Sequence, residues 1–272
     1  MGQNLLFFLK RKSGFRGILD SFSNSAAAYS LQPLSKNTLN SPLVRVRRSS
    51  DNGELDFTGK QIIDGNLLGW VTEESATANG FVRTWYDQSG LARHAQQATA
   101  LNQPLIVENG NLLVDSSGKP YIKFNNHSLL WEGSFSNPNP ITFIHVSSFD
   151  LASLTYSVVS CGTSRLSYYR FTNDHALIFG PVIRGGVTNP NVKYLRFDVA
   201  NAENSVIRAN GQIVASGATS PGNADNRILL GGNPQSGFTN FQGRIWEAII
   251  YTSDQTGNVS NIEGDLMERY NL

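Results

Sequence analysis

The chain has 272 residues, with 22 Lys and Arg against 21 Asp and Glu, so its formal net charge is +1. Charged residues make up only 16% of the chain, below the roughly 25% of an ordinary soluble domain. The hydrophobic fraction of 40% and the aromatic fraction of 10% exclude a disordered chain, and the balanced charge argues against a nucleic-acid-binding protein. Polarity carried by neutral amides and hydroxyls indicates a β-rich domain with exposed loops.

An apolar run followed by a basic cluster opens the sequence. The run comprises Leu5, Leu6, Phe7, Phe8 and Leu9, and the cluster comprises Lys10, Arg11, Lys12 and Arg16. A secretory signal peptide has its positive charges first, and a membrane span needs about 20 apolar residues, so neither fits. A strand or short helix of the domain is one interpretation. The other, which we adopt, is an arm over residues 1–22 that docks onto another protein, ahead of a domain over residues 23–272.

The first elements predicted after this run are a helix and several short strands. Apolar residues at helical spacing predict a helix over residues 15–29, which the run Ala26-Ala27-Ala28 extends. Alternating apolar and polar residues predict strands over residues 43–47, 81–86 and 121–124. Before the last of these, strands over residues 104–107 and 112–114 flank Asn109-Gly110, which is a strong short-range hairpin signal.

Strands follow at close spacing in the second half of the chain. A second hairpin is predicted around Asn210-Gly211. The chain ends with apolar residues at helical spacing, which predict an amphipathic helix over residues 259–270. Many short strands separated by turns predict an all-β fold of the sandwich type, in one domain. The strands are predicted over residues 141–146, 156–160, 166–171, 176–179, 194–199, 205–209, 212–215, 228–231 and 243–251.

The first half of the chain carries several motifs in a set order. Together they resemble the segment shared by α-L-arabinofuranosidase B-type catalytic domains and many phage or bacterial surface proteins. The resemblance runs from Ala26 to Pro120. The motifs are Val44-Arg45-Val46-Arg47-Arg48-Ser49-Ser50-Asp51-Asn52, Trp85-Tyr86-Asp87-Gln88-Ser89-Gly90, Asn102-Gln103-Pro104 and Gly118-Lys119-Pro120.

The end of the chain resembles a second family. Phe241–Tyr251, followed by Ile262–Leu266 and Tyr270, is similar to the last strand and short helix of concanavalin A-like (laminin G-like) jelly-roll domains. The hairpin at Asn210-Gly211 is similar to one of theirs. The two resemblances imply a concanavalin A-like β-sandwich of two antiparallel sheets, with an N-terminal arm or helix and a short C-terminal helix.

The arabinofuranosidase resemblance implies a retaining glycosidase, whose chemistry needs two carboxyl groups about 5–5.5 Å apart. No motif locates such a pair. Enzymes of that family carry several cysteines, including a disulfide in the sugar site, whereas this chain has only Cys161, in an apolar stretch that predicts a buried thiol. Asp87 and Glu247 lie in the matched motifs, and we interpret them as a turn cap and a structural strand residue. These observations predict no catalytic residues and a protein that is not an enzyme.

The sequence favours sugar recognition over catalysis. Hydroxyl-rich ligands need aromatic faces together with amides and carboxylates, and the chain offers candidates of each kind. The alternative is that Trp and Tyr residues in strands belong to the core. Trp131 is the best exception to that alternative, since it lies between an Asn/His-rich loop and a Gly/Ser/Asn/Pro-rich loop. The candidate ligand-binding residues are Trp85, Tyr86, Asp87, Gln88, Asn126, Trp131, Tyr168 and Tyr169.

No metal ion and no cofactor is expected. The histidines are scattered without metal-binding spacing, and nucleotide-binding glycine motifs are missing. His145 is predicted to be a hydrogen-bonded residue of a sheet. The four histidines are His94, His127, His145 and His175.

These features together predict a structural protein of a bacteriophage virion, as a head fibre, spike or tail component assembled in the host cytoplasm. The arm would attach it to the capsid or tail, and the sandwich would bind a glycan, the host surface or another virion protein. A homo-oligomer is expected, and neither nucleic acid nor a membrane is an expected partner. The alternative is an α-L-arabinofuranosidase-like glycoside hydrolase acting on surface polysaccharide. A third hypothesis, a bacterial surface lectin, needs a secretion route.

Overall fold

The computed structural model describes residues 14–136, 139–150, 156–162, 165–169, 174–220, 224–232 and 241–272. Within these ranges the molecule is mostly β. Within the described ranges, nineteen strands join through antiparallel pairings into one network. The β-rich class predicted from the sequence is therefore confirmed, while the two-sheet jelly-roll type stays a prediction.

The strands are short, as the spacing of turn residues predicts. In chain order they are β1 (Ala27–Ser30), β2 (Pro42–Arg48), β3 (Glu54–Thr58), β4 (Gly80–Trp85), β5 (Ala95–Gln96), β6 (Leu105–Glu108), β7 (Asn111–Leu112), β8 (Ile122–Asn125), β9 (Leu129–Ser136), β10 (Ile141–Phe149), β11 (Tyr156–Cys161), β12 (Arg165–Tyr169), β13 (His175–Phe179), β14 (Val182–Gly185), β15 (Tyr194–Ala200), β16 (Ser205–Ala209), β17 (Gln212–Gly217), β18 (Ala224–Leu230) and β19 (Gln242–Tyr251).

Helices are few in the described part of the chain. They are α1 (Ile18–Ser21), α2 (Gly59–Ile63), α3 (Asn66–Thr72) and α4 (Val259–Tyr270), with 3-10 turns at Lys36–Thr38, Ala100–Asn102 and Thr256–Asn258. The sequence does not predict the strands β1, β3, β5, β9 and β14 or the helices α2 and α3. The strand predicted over residues 166–171 corresponds to β12, and residues 170 and 171 lie outside the described ranges.

The central strands β10, β15 and β19 have both faces covered. β10 pairs with β15 on one side and with β19 on the other. Alternate residues of a strand point to opposite faces, and Phe143 belongs to the larger apolar cluster whereas Ile144 belongs to a second one. The helix α4 covers the second face with Ile262, Leu266 and Tyr270. This closing helix, predicted from its apolar stripe, is confirmed.

The N-terminal helix is shorter than predicted. α1 ends at Ser21, and Ala27 and Ala28 lie in β1, opposite Ile250 and Ile249 of β19. Both alanines are fully buried. The helix propensity of alanine is a weak bias, below about 1 kcal/mol per residue, so pairing with the central strand outweighs it.

The predicted arm is described only from Gly14 onward. Its apolar and basic residues, Leu5 to Lys12, lie outside the described ranges. Ile18 and Leu19 are buried in the second apolar cluster, and the backbone N–H of Leu19 donates to the carbonyl of Leu34 at 2.9 Å. The boundary after residue 22 and the docking role of the arm stay predictions.

Both Asn-Gly hairpins form where the sequence predicts them. Asn109 and Gly110 have φ of 50° and 73°, and Asn210 and Gly211 have φ of 46° and 81°. Two successive left-handed residues are what a type I′ turn requires, and Asn and Gly adopt that region at the least cost. These hairpins are therefore decided by local chemistry.

Trp131 lies in a strand, β9, that is not predicted from the sequence. β9 pairs with β18, which places Trp131 opposite Ile228. The side chain is half-buried and packs against the larger apolar cluster. The neighbouring Asn, Gly and Ser residues are typical of a loop, but ladder hydrogen bonds to β18 satisfy this backbone instead.

Candidate functional site

An open groove of about 1060 Å³ lies beside the end of β4. Residues from three stretches line it, 19–26, 35–42 and 86–94, together with Asp56 and Thr252. Its walls offer hydroxyl, amide and carboxyl groups. Tyr86, Asp87 and Gln88, three of the residues predicted to bind a ligand, all line this groove.

The carboxyl group of Asp87 closes the loop that forms one wall of the groove. Its Oδ1 accepts the backbone N–H groups of Ala28 at 2.8 Å and of Ser89 at 2.9 Å. Its Oδ2 accepts the Ser89 hydroxyl at 2.6 Å and the backbone N–H of Arg93 at 3.0 Å. Hydrogen bonds to a charged acceptor are the stronger kind, so this carboxyl holds the loop in shape. The geometry agrees with the turn-capping role expected of Asp87.

Gln88 fastens a neighbouring wall. Its Oε1 accepts the backbone N–H of Leu34 at 2.8 Å, and its Nε2 donates to the carbonyls of Ser30 at 3.0 Å and Gln32 at 3.1 Å. The backbone N–H of Gln88 also donates to the carbonyl of Ala28 at 2.7 Å. The hydrogen-bonding groups of this buried amide are thus directed at the protein, and they fix the segment 30–34.

Tyr86 and Asp56 form a hydrogen-bonded pair in the groove. The Tyr86 hydroxyl donates to Oδ1 of Asp56 at 2.8 Å, and Arg45 donates from Nε and Nη2 to the two carboxyl oxygens at 2.8 and 2.9 Å. The bonds from Arg45 hold the pKa of Asp56 below its ordinary value. Burial and the Asp56 carboxylate raise the pKa of Tyr86 to about 12. The pair is therefore an ionised carboxylate with a protonated phenol.

His94 lies against Tyr86, with ring centroids 5.0 Å apart and ring planes at 82°. Its Nδ1 accepts the backbone N–H of Asp87 at 3.1 Å. A neutral imidazole whose Nδ1 accepts a hydrogen bond carries its proton on Nε2. His94 therefore presents Nε2–H as a donor. The sequence analysis does not single out His94 for binding, because only the folded loop brings it beside Tyr86.

Trp131 lies behind the groove rather than in it. The guanidinium of Arg93 lies 5.2 Å from the centroid of the Trp131 ring, and its Nη1 donates to the carbonyl of Ala26 at 2.7 Å. Arg93 and Ala26 both line the groove, whereas Trp131 does not. Trp131 thus supports a wall residue from below.

The other candidate ligand-binding residues lie away from the groove. Trp85 is fully buried with its ring centroid 5.9 Å from that of Tyr29, so it is a core residue rather than a ligand contact. Asn126 is exposed and accepts a hydrogen bond from Gln242 at 3.1 Å, outside the groove. Tyr168 and Tyr169 lie in β12, and their side chains fall outside what the structure describes.

A second polar cluster lies in the core, on the face of β10 and β15 that is turned to the larger apolar cluster. Arg196 donates from Nε and Nη2 to the two carboxyl oxygens of Asp198, at 3.1 and 2.7 Å, and both side chains are fully buried. Burial raises the pKa of Asp198, and Arg196 and the Ser167 hydroxyl act against that shift. Two charged residues two positions apart in an apolar strand are the sequence signal for this pair, and the sequence analysis missed it.

Two histidines extend this core cluster. The Ser167 hydroxyl donates to Asp198, so its oxygen accepts from Nε2 of His145, at 2.8 Å. Nη1 of Arg196 donates to Nδ1 of His175 at 3.1 Å. Burial lowers the pKa of His175 to about 2 and that of His145 well below its ordinary value. Both rings are therefore neutral, and His145 is the hydrogen-bonded sheet residue that the sequence predicts.

Glu247 and Cys161, which the sequence predicts to be structural residues, are both buried. Glu247 binds Nη1 of Arg269 at 3.1 Å and the Tyr270 hydroxyl at 2.7 Å, which joins β19 to α4. Cys161 is buried in β11, as expected.

The described part of the chain offers neither a metal site nor a membrane-spanning helix. Among the described residues, no three His, Cys, Asp or Glu side chains are grouped so as to hold a metal ion. None of the helices in the described ranges is long and apolar enough to cross a membrane.

Comparisons with known proteins show similarity at the level of fold. No protein-family model matches the chain, and no curated protein matches it. A GH54 α-L-arabinofuranosidase soaked with a cyclic sulfate inhibitor has a TM-score of 0.63 at 14% sequence identity, covering 90% of this chain and 63% of that chain. An arabinofuranosidase complexed with arabinofuranosyl-α-1,2-xylobiose has a TM-score of 0.58 at 14% identity, with the same coverage of 90% and 63%. A Trypanosoma rangeli sialidase in complex with sialic acid has a TM-score of 0.46 at 17% identity, covering 62% of this chain and 29% of that one.

These comparisons correct the prediction that the chain is not an enzyme. Two solved structures that share its fold over nine tenths of its length are arabinofuranosidases. The prediction depended on the missing cysteines, which concern the sugar site of one family and not the carboxyl groups that perform glycoside hydrolysis. At 14% sequence identity, the likeness to these two structures is one of fold.

Proposed function

We propose that this chain is a glycoside hydrolase that acts on a polysaccharide bearing arabinofuranosyl or related sugars. The observation that carries the proposal is the fold, which is similar over 90% of the chain to that of a GH54 α-L-arabinofuranosidase. The open groove of about 1060 Å³ beside Tyr86 offers a place where part of such a polysaccharide can bind. Ligand sites are usually about 300–1,000 Å³, so the groove has room for an oligosaccharide. Its hydroxyl, amide and carboxyl groups suit a ligand rich in hydroxyls.

The proposal includes the two-layer sandwich expected from the sequence. Ser167 of β12 and His175 of β13 hydrogen-bond to side chains of β10 and β15. In the described ladders, β12 and β13 pair with other strands and not with β10 or β15. Side chains that meet without strand pairing are typical of two facing sheets. This supports a sandwich with the core polar cluster between its layers.

We do not assign the reacting carboxyl groups to Asp56 or Asp87. A retaining hydrolase needs one carboxyl as nucleophile and one as acid and base. Four hydrogen bonds already engage Asp87, and Arg45 and Tyr86 engage Asp56. The buried Cys161 also lies in the core, so we expect a sugar site built without the disulfide that the arabinofuranosidase resemblance implies.

Activity is tested on the purified chain with 4-nitrophenyl α-L-arabinofuranoside, arabinan and arabinoxylan. We expect release of nitrophenol and of arabinose. An arabinofuranose-configured cyclic sulfate esterifies the nucleophilic carboxylate of a retaining enzyme, so peptide mass mapping after labelling is expected to name that residue. Absence of turnover on all three substrates, together with absence of a covalent label, would overturn the proposal.

Location on a virion, attachment through Leu5 to Lys12, and assembly into a homo-oligomer stay predictions that no finding tests. The chain without residues 1–16 can be compared with the whole chain for incorporation into particles. Equal incorporation would contradict the role of the arm. This outcome is independent of the hydrolase proposal.

A further inference from the structure

We propose that the groove beside Tyr86 binds an uncharged oligosaccharide chain and holds it without cleaving it. The inference depends on the proposed function only for the class of ligand, which is carbohydrate. The groove is then a binding site separate from the reacting carboxyl groups. Three features of the groove support this role: its hydrogen-bond donor groups, its pre-formed wall and its charge.

His94 supplies a hydrogen-bond donor in a set orientation. Its Nδ1 is occupied by the backbone N–H of Asp87 at 3.1 Å, so the neutral ring carries its proton on Nε2. The ring lines the groove and stands edge-on to Tyr86, which also lines it and is only partly buried. A sugar needs both a donor for its hydroxyl oxygens and an apolar ring for its C–H surface. These two side chains offer both at one place.

The wall formed by the loop after β4 is held in shape before any ligand binds. Gly90 and Ala92 have φ of 89° and 54°, and Leu91 between them is 54% exposed. The left-handed region is uncommon for alanine and persists only where the surroundings impose it. Asp87 imposes it by accepting hydrogen bonds from both ends of the turn, including the backbone N–H of Arg93 at 3.0 Å. A pre-formed wall loses little conformational entropy on binding.

The acidic side chains of the groove are engaged by the protein. Asp20 accepts the backbone N–H groups of Gly17 at 2.9 Å and of Lys36 at 3.0 Å. Asp87 accepts four hydrogen bonds, and Asp56 is bound by an arginine and a tyrosine. Acid and base catalysis needs a carboxyl within reach of the scissile bond that is able to exchange a proton. These carboxyls are tied to structural partners, so the groove is suited to binding.

The charge of the groove favours an uncharged sugar over an acidic one. The described residues that line it include three aspartates and, as the one arginine or lysine, Arg93. Nη1 of Arg93 donates to the carbonyl of Ala26 at 2.7 Å, and its guanidinium lies 5.2 Å from the centroid of the Trp131 ring. Recognition of a sugar carboxylate relies on an arginine fork directed at the ligand. Here the arginine is engaged within the wall, so uronic and sialic acids are disfavoured.

The test is calorimetric titration of the purified chain with arabinohexaose, which is uncharged, and with hexagalacturonate, which is acidic. Arabinohexaose is expected to bind at least about tenfold more tightly. His94→Ala removes the donor and is expected to weaken arabinohexaose binding about three- to tenfold, as the loss of one hydrogen bond does. His94→Gln retains an N–H donor, so it is expected to keep most of the affinity.

Leu101→Ala is the matched control, because Leu101 is 88% exposed and lies outside the groove. Thermal unfolding of each variant shows that it is folded, and the comparison of the two oligosaccharides needs no variant. Equal affinity for the two oligosaccharides, or unchanged affinity in His94→Ala, would overturn the inference. If the arabinofuranoside is hydrolysed but arabinohexaose is not preferred, the hydrolase proposal stands and the binding role of the groove is contradicted. If arabinohexaose binds through His94 but no substrate is hydrolysed, the binding role of the groove stands and the hydrolase proposal is contradicted.

Discussion

Two regions of the molecule each hold an arginine–aspartate pair beside a histidine, and they differ in access to water. At the groove, the side chain of Asp56, which lines it, is 31% exposed, and that of its partner Arg45 is 42% exposed. In the core, Arg196 and Asp198 are both fully buried. The hydrogen-bond distances are similar, since the shortest is 2.8 Å in the groove and 2.7 Å in the core.

Burial, rather than hydrogen-bond geometry, therefore determines how much the loss of one partner of such a pair costs in stability. An exposed pair adds at most about 1 kcal/mol to stability, so the groove keeps its polar groups available to a ligand at little cost in folding. A buried pair must be complete, because a single charge left in the core has neither water nor a partner. The pKa of Asp198 is raised by burial, whereas that of Asp56 is lowered by Arg45.

The largest effect is expected when one member of the core pair is removed. Arg196→Met leaves Asp198 as a buried unpaired charge, and we expect the free energy of unfolding to fall by about 3–5 kcal/mol. Arg45→Met breaks the same kind of pair at the groove, and we expect a loss below about 1 kcal/mol. Urea unfolding followed by far-UV circular dichroism measures both. Similar losses in the two variants would remove the contrast between the regions.

A double variant sharpens this first prediction. Arg196→Met with Asp198→Leu removes both charges, and apolar replacement of a complete buried pair is often neutral. We expect it to be more stable than Arg196→Met alone. If the double variant is as unstable as the single one, the loss comes from packing and not from the uncompensated charge.

Acid is expected to weaken the molecule through its core histidines. The pKa of His175 is about 2 in the folded protein and that of His145 is well below its ordinary value, whereas the unfolded chain has values near 6.5. Below about pH 6.5 the unfolded state therefore binds protons that the folded state does not. The free energy of unfolding is expected to fall by about 1.4 kcal/mol per pH unit for each histidine. The raised pKa of Asp198 acts in the opposite direction.

Urea unfolding at pH 7.5 and at pH 5.5 measures this slope. His175→Gln removes one of the two titrating groups, so the loss on acidification is expected to be smaller in the variant. An equal loss in the variant and in the parent chain would show that another group carries the acid sensitivity.

A smaller loss is expected at the wall of the groove. Gln88→Ala leaves the backbone N–H of Leu34 and the carbonyls of Ser30 and Gln32 without their buried partner, and we expect a loss of about 1–3 kcal/mol. Gln212→Ala, at an exposed glutamine of β17 outside the groove, serves as the control. Thermal and urea unfolding compare the two. A loss no greater than that of the control would mean that other contacts hold this wall.

The smallest effect is expected for Tyr86→Phe. The variant keeps the ring and removes one hydrogen bond, and Asp56 stays bound to Arg45. We expect a loss of about 0.5 kcal/mol in unfolding free energy, at the low end for a hydrogen bond. Urea titration measures it. If Tyr86→Phe lowers the unfolding free energy more than Gln88→Ala does, the Tyr86 hydroxyl contributes more to the stability of the groove than the Gln88 amide.

Most strands after residue 141 can be predicted from the sequence, whereas the N-terminal third and the candidate site are predicted only in part. Asp87 is predicted as a turn cap because Ser89 and Arg93, two of its partners, are close in sequence. Trp85 lies in the same motif, yet its burial follows from packing on Tyr29. His94 carries no local signal for binding, because its place beside Tyr86 depends on the folded loop.

The β-rich class, the two Asn-Gly hairpins, the closing helix and the capping role of Asp87 can all be predicted from the sequence. These features depend on backbone preferences and side-chain spacing within a few residues, so local chemistry decides them. Tertiary contacts, in contrast, place the alanine run in β1 and Trp131 in β9. They also bring Ser167 and His175 to the Arg196–Asp198 pair. Those outcomes depend on strands that are distant along the chain, and pairing and burial across such distances outweigh local preference.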